Sequence, residues 1–309
     1  MSGVVSFRGR SVISIRDMSR EDLWVVVEAA GKVKDRDPGE FLAGRTVAVL
    51  FFEPSTRTRL SFESAILKSG GRVFGFANPS ATSQSKGESF ADTIRTVAGY
   101  CDAMVIRHPV EGAARMASEL SATPVINAGD GSNQHPTQTF LDLFTMHESL
   151  GRLEGLKVGM MGDLKYGRTV HSLTHALAMF GAELTFIAPP SLEMPAQILH
   201  GLETSGITFR QIREPEEAAD LGLDFLYVTR IQKERFGDPQ EYASVAHSYQ
   251  VTCDTVALLG RDVRIMHPLP RVDEISVEVD SLPNALYFTQ AHNGVPTRRA
   301  LLGLVTGGL

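Results

Sequence analysis

The chain is expected to fold as an α/β protein of two domains, each a mainly parallel sheet flanked by helices. Short apolar runs alternate with longer amphipathic stretches along most of its 309 residues. The alternation stops at the glycine-bounded polar break Gly151-Arg152-Leu153-Glu154-Gly155 and then restarts. At roughly 100–200 residues per domain, the length also suits two.

Ser19 followed by Asp22 marks a helix start, after which Leu23, Val26, Val27, Ala30 and Val33 recur at helical spacing. Strands are expected at 46–52, 72–76, 103–107 and 125–127, with helices from about Thr56, Glu88, Gly112 and Pro136. Beyond the break, strands fall near 157–161, 184–187, 208–211, 225–228 and 263–266, with a helix at 169–180. Such βα alternation implies parallel sheets covered on both faces. The domains are therefore placed at 1–150 and 151–289, with a helical terminal segment of about 290–309, patterned most clearly at 297–304, packing back on the first.

Composition narrows the partners. With 43% hydrophobic and 21% charged residues and a net charge of −6, the chain can bury a core but has no positive field for nucleic acid or an anionic membrane. Cys101 and Cys253 are not spaced as a metal site or a disulfide framework and are expected to be buried, reduced thiols. No run of 18 apolar residues occurs, and Arg8, Arg10 and Arg16 interrupt any signal-like stretch, so a cytoplasmic location is expected.

The chemistry begins at Glu53-Pro54-Ser55-Thr56-Arg57-Thr58-Arg59. Pro54 ends a strand and Ser55 suits an N-cap, leaving the N–H groups of Thr56, Arg57 and Thr58 at a helix entrance where phosphate binds well. An ordinary capped helix would prefer Asp or Glu there. Arg57 and Arg59 instead oppose the helix dipole, at about 0.3–1 kcal/mol each, unless an anion is bound. There is no G-x-x-x-x-G-K-[ST] loop and no G-x-G-x-x-G turn, so a small phosphorylated metabolite fits better than ATP or NAD.

In Gln134-His135-Pro136-Thr137-Gln138, Pro136 suits the first helical position, which puts His135 at the cap and Gln138 on the same side. An imidazole and an amide thus share one entrance, as a ligand-free capping pair or as contacts to a carbonyl oxygen and an amide-type nitrogen. Arg107 ends a strand at the sheet edge where α/β ligands bind. In His267-Pro268-Leu269-Pro270-Arg271 the prolines remove donors but leave rigid carbonyl acceptors.

Together these three segments resemble the carbamoyltransferase family, on its aspartate-specific branch, and the match is spread over nearly the whole chain. The resemblance implies the carbamoyltransferase-like fold and transfer of a carbamoyl group from carbamoyl phosphate to the amine of L-aspartate, an early step of pyrimidine synthesis, with no metal or organic cofactor. Carried over, Ser55, Thr56, Arg57 and Thr58 hold the phosphate, while Thr58, Arg107 and His135 contact the carbonyl oxygen. Gln138 and the Pro268-Leu269-Pro270 segment hold the carbamoyl nitrogen. Arg168, Arg230 and Gln232 look like aspartate ligands. Lys86 matches a residue that reaches a neighbouring subunit's site, which implies a homotrimer with shared sites; Thr82, Ser83 and Ser85 compete for a nearby phosphate contact. Glu53 is either an ion-pair partner of the arginines or, by resemblance, a residue that joins the domains on closure.

Two rivals are weighed. The ornithine branch would be expected to carry a His-Cys-Leu-Pro segment and an Asp-x-Trp-x-Ser-Met-Gly loop; neither is present, and Trp24 is the only tryptophan. A non-catalytic scaffold would have lost Lys86, Arg107 or His135, and all three remain. A regulatory chain or a dihydroorotase-type chain is left open as a further partner.

Overall fold

The run Thr-Val-Ala-Val-Leu-Phe lacks polar alternation and so suits a strand covered on both faces. In the computed structural model, which describes residues 6–36, 39–78, 86–231 and 249–309, it forms β1 (Thr46–Phe51), buried at every position except Thr46. The chain divides into two units, Met1–Glu148 with His292–Leu309, and Ser149–Ala291.

In the first unit, β1 pairs in parallel with β2 (Arg72–Phe76) and β3 (Ala103–His108), and β3 with β4 (Val125–Asp130). The order is β2-β1-β3-β4. Helices α1 (Arg20–Arg36), α2 (Thr56–Lys68), α3 (Phe90–Ala98), α4 (Ala113–Leu120) and α5 (Pro136–Leu150) connect or flank the strands. After β1 the chain steps outward to β2, then returns past β1 to β3. The connections therefore reverse direction between β1 and β3, where parallel sheets open a crevice at their carboxyl ends.

The second unit repeats this logic. Strands β5 (Lys157–Met161), β6 (Glu183–Ile187), β7 (Phe209–Ile212), β8 (Phe225–Val228) and β9 (Arg264–Met266) are parallel in the order β7-β6-β5-β8-β9, so the reversal lies between β5 and β8. Helices α6 (Arg168–Met179), α7 (Ala196–Thr204) and α8 (Cys253–Leu259) belong here, and α9 (Tyr287–Thr306) ends in the first unit. There Arg299 donates from Nε to Ser69 Oγ (3.1 Å) and from Nη2 to the Lys68 carbonyl (3.0 Å).

Both sheets are parallel, as the alternation implied. Ser19 and Asp22 form the expected reciprocal cap, Asp22 N–H to Ser19 Oγ at 3.1 Å and Ser19 N–H to Asp22 Oδ2 at 2.8 Å. Boundaries move where local bonding decides them. The third helix starts at Phe90 rather than Glu88, because Ser89 Oγ accepts from the Asp92 N–H. The last helix starts well before 297 and carries Pro296 inside it, a residue expected to end a helix rather than sit within one. Both cysteines are free but only half-buried, not fully buried as expected. Burial still pushes the Cys101 thiol up to about 11. Among the described residues no helix is long and apolar enough to cross a membrane.

Candidate active site

The carboxyl ends of β1 and β3 meet in register at Phe51 and Arg107, and the Phe52 N–H donates to the Arg107 carbonyl at 2.8 Å. From this edge the chain turns straight into α2. Ser55 takes the N-cap position with φ −159° and ψ 94°, yet its side chain makes no capping hydrogen bond. No acidic residue occupies the first turn. The leading N–H groups have no partner inside a helix, so this entrance offers backbone donors and an uncommitted hydroxyl to a ligand.

Arg57 is exposed and makes no hydrogen bond or ion pair with the described residues, although desolvation of its guanidinium lowers its pKa. Arg59 behaves differently. Its Nε lies 2.7 Å from Glu63 Oε1, one helical turn on. Arg59 is therefore balanced by its own helix, and Arg57 carries the anion argument alone.

Arg107 is held at the strand edge by two acceptors. Nη1 donates to the Ala128 carbonyl at the end of β4 (3.1 Å), and Nη2 lies 2.6 Å from Glu53 Oε1. Glu53 thus pairs with Arg107 across the strand ends. Both side chains are largely buried, at 12% and 24% exposure, so the pair is less screened than a surface one. Next to it, His108 packs against Phe52 and Phe90, and burial lowers its pKa.

The α5 entrance lies beyond β4. Asp130, buried at the strand end, accepts from Asn127 Nδ2 (2.9 Å) and the Gln134 N–H (3.1 Å) through Oδ1, and from the Gly112 N–H (2.9 Å) through Oδ2. These bonds set the turn that delivers His135 to the N-cap, where its carbonyl accepts from the Gln138 N–H at 3.0 Å. Thr58, His135 and Gln138 are all buried. Gln138 does not reach back to cap the helix; its Nε2 donates to Asp142 Oδ1 at 2.9 Å. The first unit therefore gathers Ser55–Thr58, Arg107, His135 and Gln138 along the ends of three adjacent strands.

In the second unit, Gly162 follows β5 and Thr229 follows β8. A Cβ on Gly162 would lie 2.3 Å from the Thr229 carbonyl oxygen, at φ +113°. Only glycine lets the two strand ends approach so closely. Arg168 opens α6, whose first turn holds no acidic residue, and Arg230 follows β8, so both half-buried guanidinium-bearing residues flank this reversal. Beside them β9 runs into His267-Pro268-Leu269-Pro270, whose Leu269–Pro270 bond is cis and whose Leu269 has φ +50°. His267 Nδ1 accepts from the Leu269 N–H (2.7 Å), so its ring proton sits on Nε2, 2.8 Å from Glu274 Oε1. The His267 N–H donates to Gln290 Oε1 at 2.8 Å, and Glu274 Oε2 accepts from the N–H groups of Val272 (3.0 Å) and Asp273 (3.1 Å).

Lys86 is exposed just ahead of α3 and has no hydrogen bond or ion pair with the described residues. Gln232, Thr82, Ser83 and Ser85 lie outside the described residues. Sequence reasoning missed Asp130, Asp142 and Glu274. The first was marked by the turn dipeptide Asp130-Gly131 and the second by its spacing of one helical turn from Gln138; Glu274 had no local signal. Among the described residues no group of three or more His, Cys, Asp and Glu side chains converges as metal ligands would.

Comparison with known proteins fits this geometry. Residues 10–148 match the family model described as the carbamoyl-P binding domain of aspartate/ornithine carbamoyltransferase, and residues 154–305 match its Asp/Orn binding domain. The chain belongs to the aspartate/ornithine carbamoyltransferase family. Within these carbamoyltransferases it is 54% identical to the aspartate carbamoyltransferase catalytic subunit of Thermococcus onnurineus, over 99% of each chain. It is also 54% identical to that of Methanopyrus kandleri, over 98% of this chain and 99% of the other. Among solved carbamoyltransferases, the catalytic subunit of M. jannaschii aspartate transcarbamoylase superimposes with a TM-score of 0.90 at 48% identity, covering 95% of this chain and 97% of that one. The Trypanosoma cruzi aspartate transcarbamoylase, in complex with carbamoyl phosphate and aspartate, gives 0.90 at 36% identity, covering 98% and 97%.

Proposed function

We propose that this chain transfers the carbamoyl group of carbamoyl phosphate to the amine of L-aspartate, forming N-carbamoyl-L-aspartate and phosphate for pyrimidine synthesis. The observation that carries the reading is the α2 entrance: an N-cap serine whose side chain makes no capping hydrogen bond, no acid in the first turn, and Arg57 without a partner among the described residues. Relatives with this activity share the whole length of the chain.

The roles are those that the family resemblance implies, and the chemistry agrees with them. Ser55, Thr56, Arg57 and Thr58 hold the phosphate with backbone donors, hydroxyls and a guanidinium fork. Amine attack makes a tetrahedral carbon whose oxygen gains negative charge, and Thr58, Arg107 and His135 are donors to that oxygen. Gln138 and the carbonyls of Pro268 and Leu269 accept from the carbamoyl NH2, with Pro270 fixing their direction. Arg168, Arg230, Gln232 and Lys86 hold the two carboxylates of aspartate. No protein nucleophile is required: the amine forms the new C–N bond, the C–O bond to phosphate breaks, and the departing phosphate takes the amine proton.

Aspartate is favoured over ornithine because Arg168 and Arg230 together face the second reversal point, where a cationic amine would be repelled and a dicarboxylate attracted. The chain works in the cytoplasm as a homotrimer in which Lys86 serves a neighbouring subunit. Supporting this are the exposed Lys86 and two exposed leucines of α2, Leu60 (56% exposed) and Leu67 (61%), seven residues apart on one side of the helix.

The test is direct. The purified chain is incubated with carbamoyl phosphate and either aspartate or ornithine, and phosphate release and the carbamoylated product are measured. Turnover with aspartate alone supports the reading; turnover with ornithine alone, or with neither, overturns it.

A further inference from the structure

Gln138 is a symmetric-looking group with an unsymmetric task. Its amide presents either an acceptor oxygen or a donor NH2, and a carbamoyl group, which carries both C=O and NH2, would accept either orientation in a different pose. What stands behind the amide decides between them. Asp142, fully buried and one turn further along α5, takes the Gln138 NH2 at 2.9 Å. A carboxylate offers acceptors only, so the reverse orientation would bring oxygen against oxygen in a buried place. The Oε1 atom is then the face left for a ligand.

A second buried group feels the charge of Asp142. Arg298 on α9 is 3% exposed; burial pulls its pKa down to about 10, and the Asp142 charge opposes that shift. Its Nη1 donates to Ser61 Oγ at 2.9 Å, and its guanidinium lies 5.0 Å from the centre of the Phe62 ring. Ser61 and Phe62 belong to α2, the helix whose first turn carries the phosphate ligands. Gln138–Asp142 and Arg298–Ser61 are thus two hydrogen-bonded pairs of the first unit, linked by the attraction between the Asp142 and Arg298 charges.

We propose that Asp142 is a positioning residue that locks the Gln138 amide with its oxygen outward, so that the site selects a carbonyl group bearing an NH2 donor over one bearing a methyl group. The inference rests on the reading that Gln138 meets the carbamoyl nitrogen. Asp142 touches no substrate; it acts through Gln138 alone.

The experiment compares dissociation constants for carbamoyl phosphate, acetyl phosphate and inorganic phosphate in the wild-type chain, Asp142→Asn and Gln138→Ala. Acetyl phosphate replaces the NH2 by CH3, and inorganic phosphate reports on the α2 entrance alone. Asparagine at 142 offers donor and acceptor alike and frees the amide to turn. The expected result is a loss of about tenfold or more in the preference for carbamoyl over acetyl phosphate, as for one hydrogen bond to a buried group, with phosphate binding unchanged. Gln138→Ala should lose the same preference. If Gln138→Ala keeps it, Gln138 does not read the nitrogen and the functional assignment of that residue fails. If Gln138→Ala loses it while Asp142→Asn keeps it, the assignment survives and the positioning role is overturned.

Should Asp142→Asn fail to fold, the wild-type chain answers the same question. With 15N-labelled glutamine, the side-chain NH2 signals that vanish in Gln138→Ala should be protected from exchange both before and after carbamoyl phosphate binds. Signals that are unprotected beforehand and become protected only with the ligand would mean that the NH2 faces the substrate, which overturns the proposal.

Discussion

Arg107 Nη2 and Glu53 Oε1 lie 2.6 Å apart across the ends of β1 and β3, so the guanidinium proposed to stabilise the reacting oxygen already has an anionic partner. A substrate that draws on Arg107 competes with Glu53. Replacing Glu53 by Gln should tighten carbamoyl phosphate binding, measured without aspartate, by up to about fivefold, the scale of a modest ion pair. Weaker binding would show that Glu53 aids the ligand rather than competing with it.

Arg107 itself holds the Ala128 carbonyl and Glu53 with separate nitrogens. Lysine cannot reproduce that fork. Both Arg107→Ala and Arg107→Lys should therefore lower kcat by about 100-fold or more, the usual loss for an oxyanion donor, in steady-state assays with both substrates saturating. A lysine variant within a few-fold of the wild type would reduce Arg107 to a point charge.

The two arginines of the α2 entrance should separate cleanly. Arg57 has no protein partner among the described residues, whereas Arg59 is paired with Glu63. Arg57→Ala should weaken phosphate and carbamoyl phosphate binding by about 100-fold, as for two charge-assisted hydrogen bonds, and Arg59→Ala by only a few-fold. Calorimetric titration with inorganic phosphate distinguishes them, and equal losses would make Arg59 a phosphate ligand as well.

In the second unit, Arg230→Ala should raise the KM for aspartate by roughly 10- to 100-fold while leaving carbamoyl phosphate affinity unchanged, because it removes contacts to one substrate only. A matching loss of carbamoyl phosphate affinity would refute that division of labour.

The His267–Glu274 pair makes a prediction about stability. Burial pushes the Glu274 carboxyl up, but the His267 ring and nearby backbone N–H groups outweigh it and hold the pKa below the ordinary value of 4.5. A depressed carboxyl contributes stability above the unfolded value and loses it as pH falls through the folded one. Glu274→Ala should thus cost at least about 2 kcal/mol near neutral pH, from the donors left unpaired, and this difference from wild type should shrink below pH 4.5 in urea unfolding. A constant difference across that range would mean that the carboxylate is not responsible.

Much of this architecture was legible before the fold was known. The apolar runs that became β1, β3, β5 and β8 are continuous because both faces are covered, and continuity survives without knowledge of neighbours. Ser55 at an N-cap and Pro136 at a first helical position follow from backbone donors and a fixed φ, which are properties of a few adjacent residues. The Arg59–Glu63 pair was legible too, from a spacing of one turn, and shows that a cation in the first turn is not by itself a ligand.

What the sequence determined by itself was therefore local: the type of each element, the parallel sheets, and the two helix entrances with their oxygen and nitrogen groups. The tertiary structure decided which charge meets which. Arg107 finds Glu53 only because β1 and β3 lie side by side, and Arg298 reaches Ser61 only because the terminal helix lies on α2. Within a helix or a turn the spacing of residues sets the distance between their side chains. Between remote segments it is the strand order and the packing of the core that do so, and hydrogen bonds and ion pairs decay within a few ångströms.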